Sequence, residues 1–234
     1  APARARERLL HQREQPRRVA GRDPAEMAEA VRCDALANLA FRDAPLSLLC
    51  AFDAVRLGQA AMADAERTHP TICCEGDILP SPSYADPCEV LETAGGPLPP
   101  LPADAQALEF DHDLGRLRRF VRAHAVAARL GGNRLQDLLV AVNEAATNTL
   151  VHTGSPGIAR VWSDGRSVVC EILDQGRLDD PLAGSRLPDA GSPSGRGLWL
   201  VNHLCDLVQL RAGPRGTTLR MHVALDRSSV GASR

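Results

Sequence analysis

The chain has 234 residues, enough for one large or two modest domains with a sizeable core. Its formal net charge of -2 gives no reason to expect nucleic-acid binding as its main task, and all 27 basic residues are arginine, which excludes a P-loop lysine and Schiff-base chemistry. No continuous run of about 18 apolar residues is present, so no membrane span is expected, and no signal-peptide h-region is visible either.

Ala1 to Arg18 is arginine-rich and mixed in sign, the pattern of a helix surface, a disordered arm or the remnant of a larger domain. Val19-Ala20-Gly21 reads as the end of a short strand. Asp23 and Pro24 form an N-cap and first-turn proline for a helix over Ala25 to Phe41, with Met27, Val31, Leu36, Leu39 and Ala40 as its apolar stripe. Asp43-Ala44-Pro45 breaks that helix. The apolar run Leu46 to Phe52 predicts a short buried strand, and Asp53 to His69 predicts a second helix, stopped by Pro70. From Glu75 to Asp104 periodicity disappears among prolines and Gly95-Gly96, so this stretch predicts a stiff linker, with a domain boundary near residue 100.

The second half is more regular. Ala107 to Phe110 predicts a strand. Asp113, or Asp111, caps a helix to about Leu130, with Leu117, Phe120, Val121, His124 and Ala128 on one side, and Gly131-Gly132 ends it. Asn133 is expected to cap the next helix, which stops at Gly154. Its apolar side is Leu135, Leu138, Leu139, Val142, Ala145 and Thr149. Ile158 to Ser163 and Ser167 to Leu173 predict a hairpin turning at Asp164-Gly165. A long loop, Asp174 to Ser194, leads to Gly195-Arg196-Gly197 and a helix through Cys205. Two last strands, Asp206 to Arg211 and Thr217 to Val223, flank the turn Gly213-Pro214-Arg215-Gly216. The order implies an α/β sandwich with helices on one face of an antiparallel-rich sheet. The seven cysteines are odd in number, and Cys50, Cys170 and Cys205 lie in apolar runs. A reduced, cytoplasmic protein with mostly buried thiols is expected. Cys73, Cys74 and Cys88 offer no C-x-x-C spacing to suggest a metal site.

Three separated signals carry chemistry. Glu144, Asn148 and His152 recur every four residues, placing a carboxylate, an amide and an imidazole along one helix face. Taken alone, that pattern fits a pocket wall or an ordinary solvated face. Asp174 and Gly176 follow a buried strand, where an aspartate can accept a hydrogen bond from an exocyclic amine. Gly195 and Gly197 open a helix, where backbone N–H groups and the helix dipole favour an anion. An asparagine oxygen is a suitable ligand for the hard cation Mg2+. Together they outline a nucleotide site, with the base at Asp174, phosphates at the Gly195 helix and metal at Asn148.

In that order the segments NEAATNTLVH, ILDQG, GRGLWLVNHLCD and GTTLRM resemble the four boxes of the histidine kinase, gyrase and Hsp90-type ATPases over roughly Leu108 to Val223. Among these the chain is most similar to the small anti-sigma-factor serine kinases. The resemblance implies a two-layer sandwich with a mixed, mostly antiparallel sheet. It implies ATP and Mg2+ as cofactors, Asn148 as metal and phosphate ligand, and Glu144 as general base on a partner serine or water. Asp174 would take the adenine amine, with Gly176 allowing close approach. Gly195, Gly197 and Leu198 would cover the phosphates, and Thr217 would support Asp174 through water. His152 takes the place of a usual basic residue without a catalytic role. Arg177 stands where a second glycine is usual, and the lid is short.

VRCDALANLAF, LSLLCAFDAVRL and DAERTHP resemble the C-terminal half of the MEDS sensory domain, whose front half is missing here. The expected organisation is therefore a partial MEDS-like region at 1–74, a proline-rich linker at 75–104, the ATPase domain at 105–226 and a tail at 227–234. The implied function is an ATP-binding anti-sigma regulatory factor and protein serine kinase. The expected partners are a sigma factor and a STAS-type antagonist, with a small-molecule signal at the N-terminal region and no direct contact with nucleic acid or membrane. A homodimer is left open. The alternative is a non-catalytic, signal-sensing binding regulator with a degenerate nucleotide site. A sensor histidine kinase fits poorly, because His124 in FVRAHAVAARL lacks the acidic neighbour usual after a phospho-acceptor histidine.

Overall fold

The computed structural model describes residues 23–74, 76–94, 96–186, 195–213 and 216–225. The chain divides into two compact units between Leu98 and Pro99. The segment Val19-Ala20-Gly21, the end of the long loop after residue 186, Pro214-Arg215 and the tail lie outside the described residues.

The N-terminal unit is built from α1 (Pro24–Ala40), α2 (Gln59–Thr68), β1 (Thr71–Cys74), β2 (Asp77–Pro80) and α3 (Pro87–Thr93). Helix α1 starts where the sequence predicts. The Asp23 carboxylate accepts from Glu26 N–H and the Glu26 carboxylate accepts from Asp23 N–H, each at 2.9 Å, forming a capping box ahead of Pro24. The small core of this unit is Val31 and Ala35 of α1 against Val90 and Ala94 in and just after α3.

Two expectations fail here. Leu46 to Phe52 is not a buried strand but coil, and Leu49 is 86% exposed. An apolar run is buried only where packed elements receive it, and among the described residues of this unit the core is the small cluster of Val31, Ala35, Val90 and Ala94. The second helix is correspondingly shorter, beginning at Gln59 rather than Asp53. Nor is 75–104 merely a linker. Its first part returns as β2, and Asp86-Pro87 caps and opens α3, whose Val90 is buried. Prolines at a cap and a strand end are compatible with structure, whereas their density alone suggested none.

The C-terminal unit comprises β3 (Gln106–Phe110), α4 (Leu114–Ala127), α5 (Gly132–Thr153), β4 (Gly157–Ser163), β5 (Ser167–Asp174), α6 (Arg196–Leu204), β6 (Leu207–Gly213) and β7 (Gly216–Ala224). The strands lie in the order β3-β4-β5-β7-β6, and every neighbouring pair is antiparallel, rather than mixed. Period-two alternation sends Val168, Cys170 and Ile172 of β5, and Leu219, Met221 and Val223 of β7, into one core with Leu117, Val121, Leu138 and Val142 of the helices. Each such fully buried aliphatic side chain contributes about 1.5–3 kcal/mol.

The opposite sheet face carries a charge ladder that the sequence did not reveal. Glu171 is buried and accepts from Arg160 Nη1 at 2.8 Å and from Arg220 Nε and Nη2 at 3.0 and 2.8 Å. Arg220 also donates to the Pro99 carbonyl and lies 5.0 Å from the centre of the Trp162 ring. A buried carboxylate is tolerable only with such partners.

Helix ends differ in detail from expectation. Asp113 caps α4, its carboxylate accepting from Arg116 N–H. At the other end the left-handed residue that closes the helix is Arg129 (φ 67°), whereas Gly131 is extended and Gly132, also at positive φ (55°), already opens the next helix. Leu130 N–H reaches Ala125 O and Arg129 N–H reaches Val126 O, a Schellman closure that inserts Leu130 into the core. Asn133 does not cap α5. Its N-cap is the extended Gly131, without a side-chain bond, while Gly154 (φ 63°) closes its far end as predicted. No helix among the described residues is long and apolar enough to cross a membrane.

Candidate functional site

One face of α5, the end of β5 and the start of α6 enclose a cavity of about 510 Å3, a size suited to a small-molecule ligand. Its middle is apolar, lined by Ala145, Ile172, Leu198, Leu210 and Leu219. These come from the core-facing rows of α5, β5, α6, β6 and β7, so the slot is continuous with the core. Polar groups stand at its two ends.

At the inner end is Asp174, the last residue of β5. Its Oδ1 accepts from Gly176 N–H at 2.8 Å and its Oδ2 accepts from the Thr149 hydroxyl at 2.7 Å. Both oxygens are thereby oriented, and lone pairs remain for a further donor from the slot. The chain must pass close to hold this geometry. A side chain on Gly176 would press on Asp174 Oδ1 and Thr153 Cγ2, both at 3.0 Å. Gly216 (φ 119°) crosses over the Asp174 carbonyl, leaving no room for a Cβ. Thr217 sits opposite Asp174 across the β5–β7 ladder and donates to Gly176 O at 2.8 Å. It therefore braces the turn after the aspartate, while the carboxylate itself is held by the Thr149 hydroxyl and the Gly176 N–H.

At the outer end, Glu144 and Asn148 stand one turn apart on α5, facing the first turn of α6. A Cβ on Gly197 would lie 3.0 Å from Asn148 Nδ2 and 3.2 Å from both Asn148 Oδ1 and Glu144 Oε2. Glycine is what lets the two helices approach here. Neither Glu144 nor Asn148 makes a side-chain hydrogen bond among the described residues. Gly195 (φ 87°) is the N-cap of α6 and supplies no capping side chain, so the positive end of the helix dipole faces the cavity mouth. The far end of α6 is tied down by Arg134, which donates to the Leu204 carbonyl and pairs with Asp137 and Asp206.

The loop after β5 forms the remaining wall. Leu182 is buried, and Gly184 (φ 77°) packs its backbone on Leu198, with Asn202 Nδ2 donating to Gly184 O at 3.1 Å. Arg177 lines the cavity with an exposed side chain beside Asp179. Its backbone is not at positive φ, so arginine in place of glycine costs no conformational strain there.

The predicted residues thus come together: Asn148, Asp174, Gly176, Gly195, Gly197, Leu198 and Thr217 line the cavity. Glu144 is at its mouth, next to Gly197. His152 is on the wall, exposed. Sequence reasoning missed Thr149, which it assigned to the apolar stripe of α5, and Gly216, which it used only as a turn residue. A hydroxyl on the buried side of the helix, in the residue directly after Asn148, was the available signal. The donor set fits a magnesium nucleotide. Asn148 offers a hard oxygen and Glu144 a carboxylate, the α6 N-terminus offers N–H groups to phosphate, the slot accepts a planar ring, and Asp174 accepts from an amine.

No curated protein was found to match the chain in sequence. A family model does match, that of the histidine kinase-like ATPase domain, over residues 109–223. That span runs from β3 to β7 and contains every wall of the cavity. Residues 109–223 thus have the fold of a histidine kinase-like ATPase domain.

Proposed function

We propose that the chain is an ATP-binding anti-sigma regulatory factor that acts as a protein serine kinase on a STAS-type antagonist and so controls a sigma factor. The observation that carries this reading is the close approach of Gly197 to Glu144 and Asn148. It brings a carboxylate, a metal-ligand amide and a helix N-terminus to one point at the cavity mouth. Asn148 would hold Mg2+ there, and the ion supplies charge neutralisation on the phosphate oxygens when bound. Asp174, with Thr149 and Gly176 orienting it, would fix the adenine amine. Leu198 and the backbone from Gly195 to Gly197 would cover the phosphates. Glu144 would accept the proton of the antagonist serine as its oxygen attacks the γ-phosphorus and ADP departs.

The test uses the whole chain with Mg-ATP in a binding calorimeter, followed by phosphotransfer to a STAS-type protein. Asn148→Ala should abolish nucleotide binding, and unchanged affinity would sink the metal assignment. Glu144→Ala should keep nucleotide and lose roughly 10²–10⁴-fold in phosphotransfer rate. Failure of the unmodified chain to bind Mg-ATP at millimolar concentration would instead favour a non-catalytic regulator that senses a signal through its N-terminal region and holds a partner.

A further inference from the structure

A second cluster of ligand-bearing side chains lies in the N-terminal unit, apart from the nucleotide cavity in both sequence and chemistry. Asp34, Cys50 and His69 are half-buried, and one potential ligand atom of each lies within 4.8 Å of the others. They belong to three segments: the middle of α1, the coil that follows it, and the residue that caps α2.

We propose that Asp34, Cys50 and His69 bind a single Zn2+ ion, leaving one coordination position for water or another ligand. His69 Nδ1 is 2.8 Å from the Ala65 carbonyl, which can only accept, so Nδ1 carries the proton. In the neutral ring the lone pair is then on Nε2, the arrangement in which a carbonyl or carboxylate orients a metal-ligating histidine. The ring is held from a second side by Phe52, whose ring meets it edge-on at 5.3 Å and 84°. Helix α1 is held in register with this point because Asn38, one turn beyond Asp34, donates to the Thr68 carbonyl at 2.6 Å. The coil supplies the third ligand. Between Pro45 and Arg56 only Cys50 and Phe52 are even half-buried, and Phe52 packs against His69 while Cys50 joins its cluster.

The donor set selects the ion. A thiolate with an imidazole and one carboxylate suits the borderline-soft Zn2+ and not Mg2+ or Ca2+, which take oxygen ligands. Ligand atoms around tetrahedral Zn2+ lie roughly 3.3–3.6 Å apart, given bonds of about 2.0–2.3 Å. Closing the cluster therefore needs movements on the order of 1 Å, within the reach of side-chain rotation. Binding releases the Cys50 thiol proton to solvent and joins the coil to both helices.

The experiment titrates the full chain, stripped of metal, with Zn2+ alone. One ion per chain is expected. Cys50→Ser and His69→Ala should each weaken binding by about 100-fold or more, since loss of even an outer-shell partner costs roughly 10–100-fold. Cys73→Ser and Cys88→Ser, which alter exposed thiols elsewhere, should leave it unchanged. A second measurement needs no variant: site-resolved alkylation of the unmodified chain should show Zn2+ protecting Cys50 while Cys73 and Cys88 still react. No stoichiometric binding, undiminished affinity in Cys50→Ser, or a Cys50 that alkylates equally fast with Zn2+ would each overturn the assignment. Should Cys50→Ser fail to fold by circular dichroism, the alkylation result decides.

Discussion

The two units solve the problem of stability differently. In the C-terminal unit the core is continuous from Phe110 to Val223, with strand and helix rows interlocking across five paired strands. In the N-terminal unit the buried apolar cluster is Val31, Ala35, Val90 and Ala94, and aliphatic residues such as Leu48, Leu49 and Val55 stay exposed. What holds the smaller unit is therefore disproportionately polar: the Asp23–Glu26 capping box, the Asn38 bond to Thr68, and the Ser81 bonds to Pro70 and Glu66 carbonyls. A periodic sequence and a large core go together because periodicity is the record of a face that must be buried. Where little is buried, the pattern says little.

The largest expected effect that sharpens this contrast is Glu171→Ala. It would leave Arg220, almost wholly buried, without its carboxylate and should cost about 3–5 kcal/mol in denaturant unfolding of the C-terminal unit. A loss under about 1 kcal/mol would mean the ladder is not desolvated. Next, Leu138→Ala and Val90→Ala compare the two cores directly. Both side chains are essentially inaccessible. Leu138→Ala should cost about 3–4 kcal/mol, because interlocked neighbours cannot collapse into the space, and Val90→Ala about 1–2 kcal/mol. Equal losses would break the comparison.

Cysteine chemistry gives a smaller effect with a definite sign. Burial pushes the Cys205 thiol up to about 12, with Asp206 adding to it, and raises Cys170 further still. Both should resist alkylation in the native protein at neutral pH, while exposed Cys73 and Cys88 react. A thiol whose folded pKa is raised contributes stability that is complete below its unfolded value near 9.0. That contribution is lost as pH climbs towards 12, so the unfolding midpoint of the C-terminal unit should fall on the alkaline side. Smallest of all, Arg129→Gly should stabilise by about 0.5–1 kcal/mol, because glycine relieves the left-handed strain at the end of α4. A neutral or destabilising result would show that the entropy lost by glycine outweighs it.

Much of the C-terminal unit was legible because its rules are local. The α5 stripe, the β7 alternation, the Gly154 stop and the order of elements all follow from periods of 3.6 and 2 and from capping chemistry. The spacing of Glu144 and Asn148, Asp174-Gln175-Gly176 and Gly195-Arg196-Gly197 likewise outlined the candidate site, each being a short motif whose parts are close in sequence.

What only the tertiary structure decided involves partners distant in sequence. Thr149 looks apolar by position until Asp174 arrives beside it from the next hairpin. Gly216 is an ordinary turn glycine until β7 crosses the Asp174 carbonyl. Glu171 is a misplaced charge in a buried strand until Arg160 and Arg220 flank it from β4 and β7. The Asp34–Cys50–His69 cluster shows no motif spacing at all, since its members lie on three segments. By itself the sequence determined which faces must be buried and where helices start and stop, because backbone geometry and solvent act residue by residue. Pairing of polar groups depends on which elements meet, and that is set only once the cores have packed.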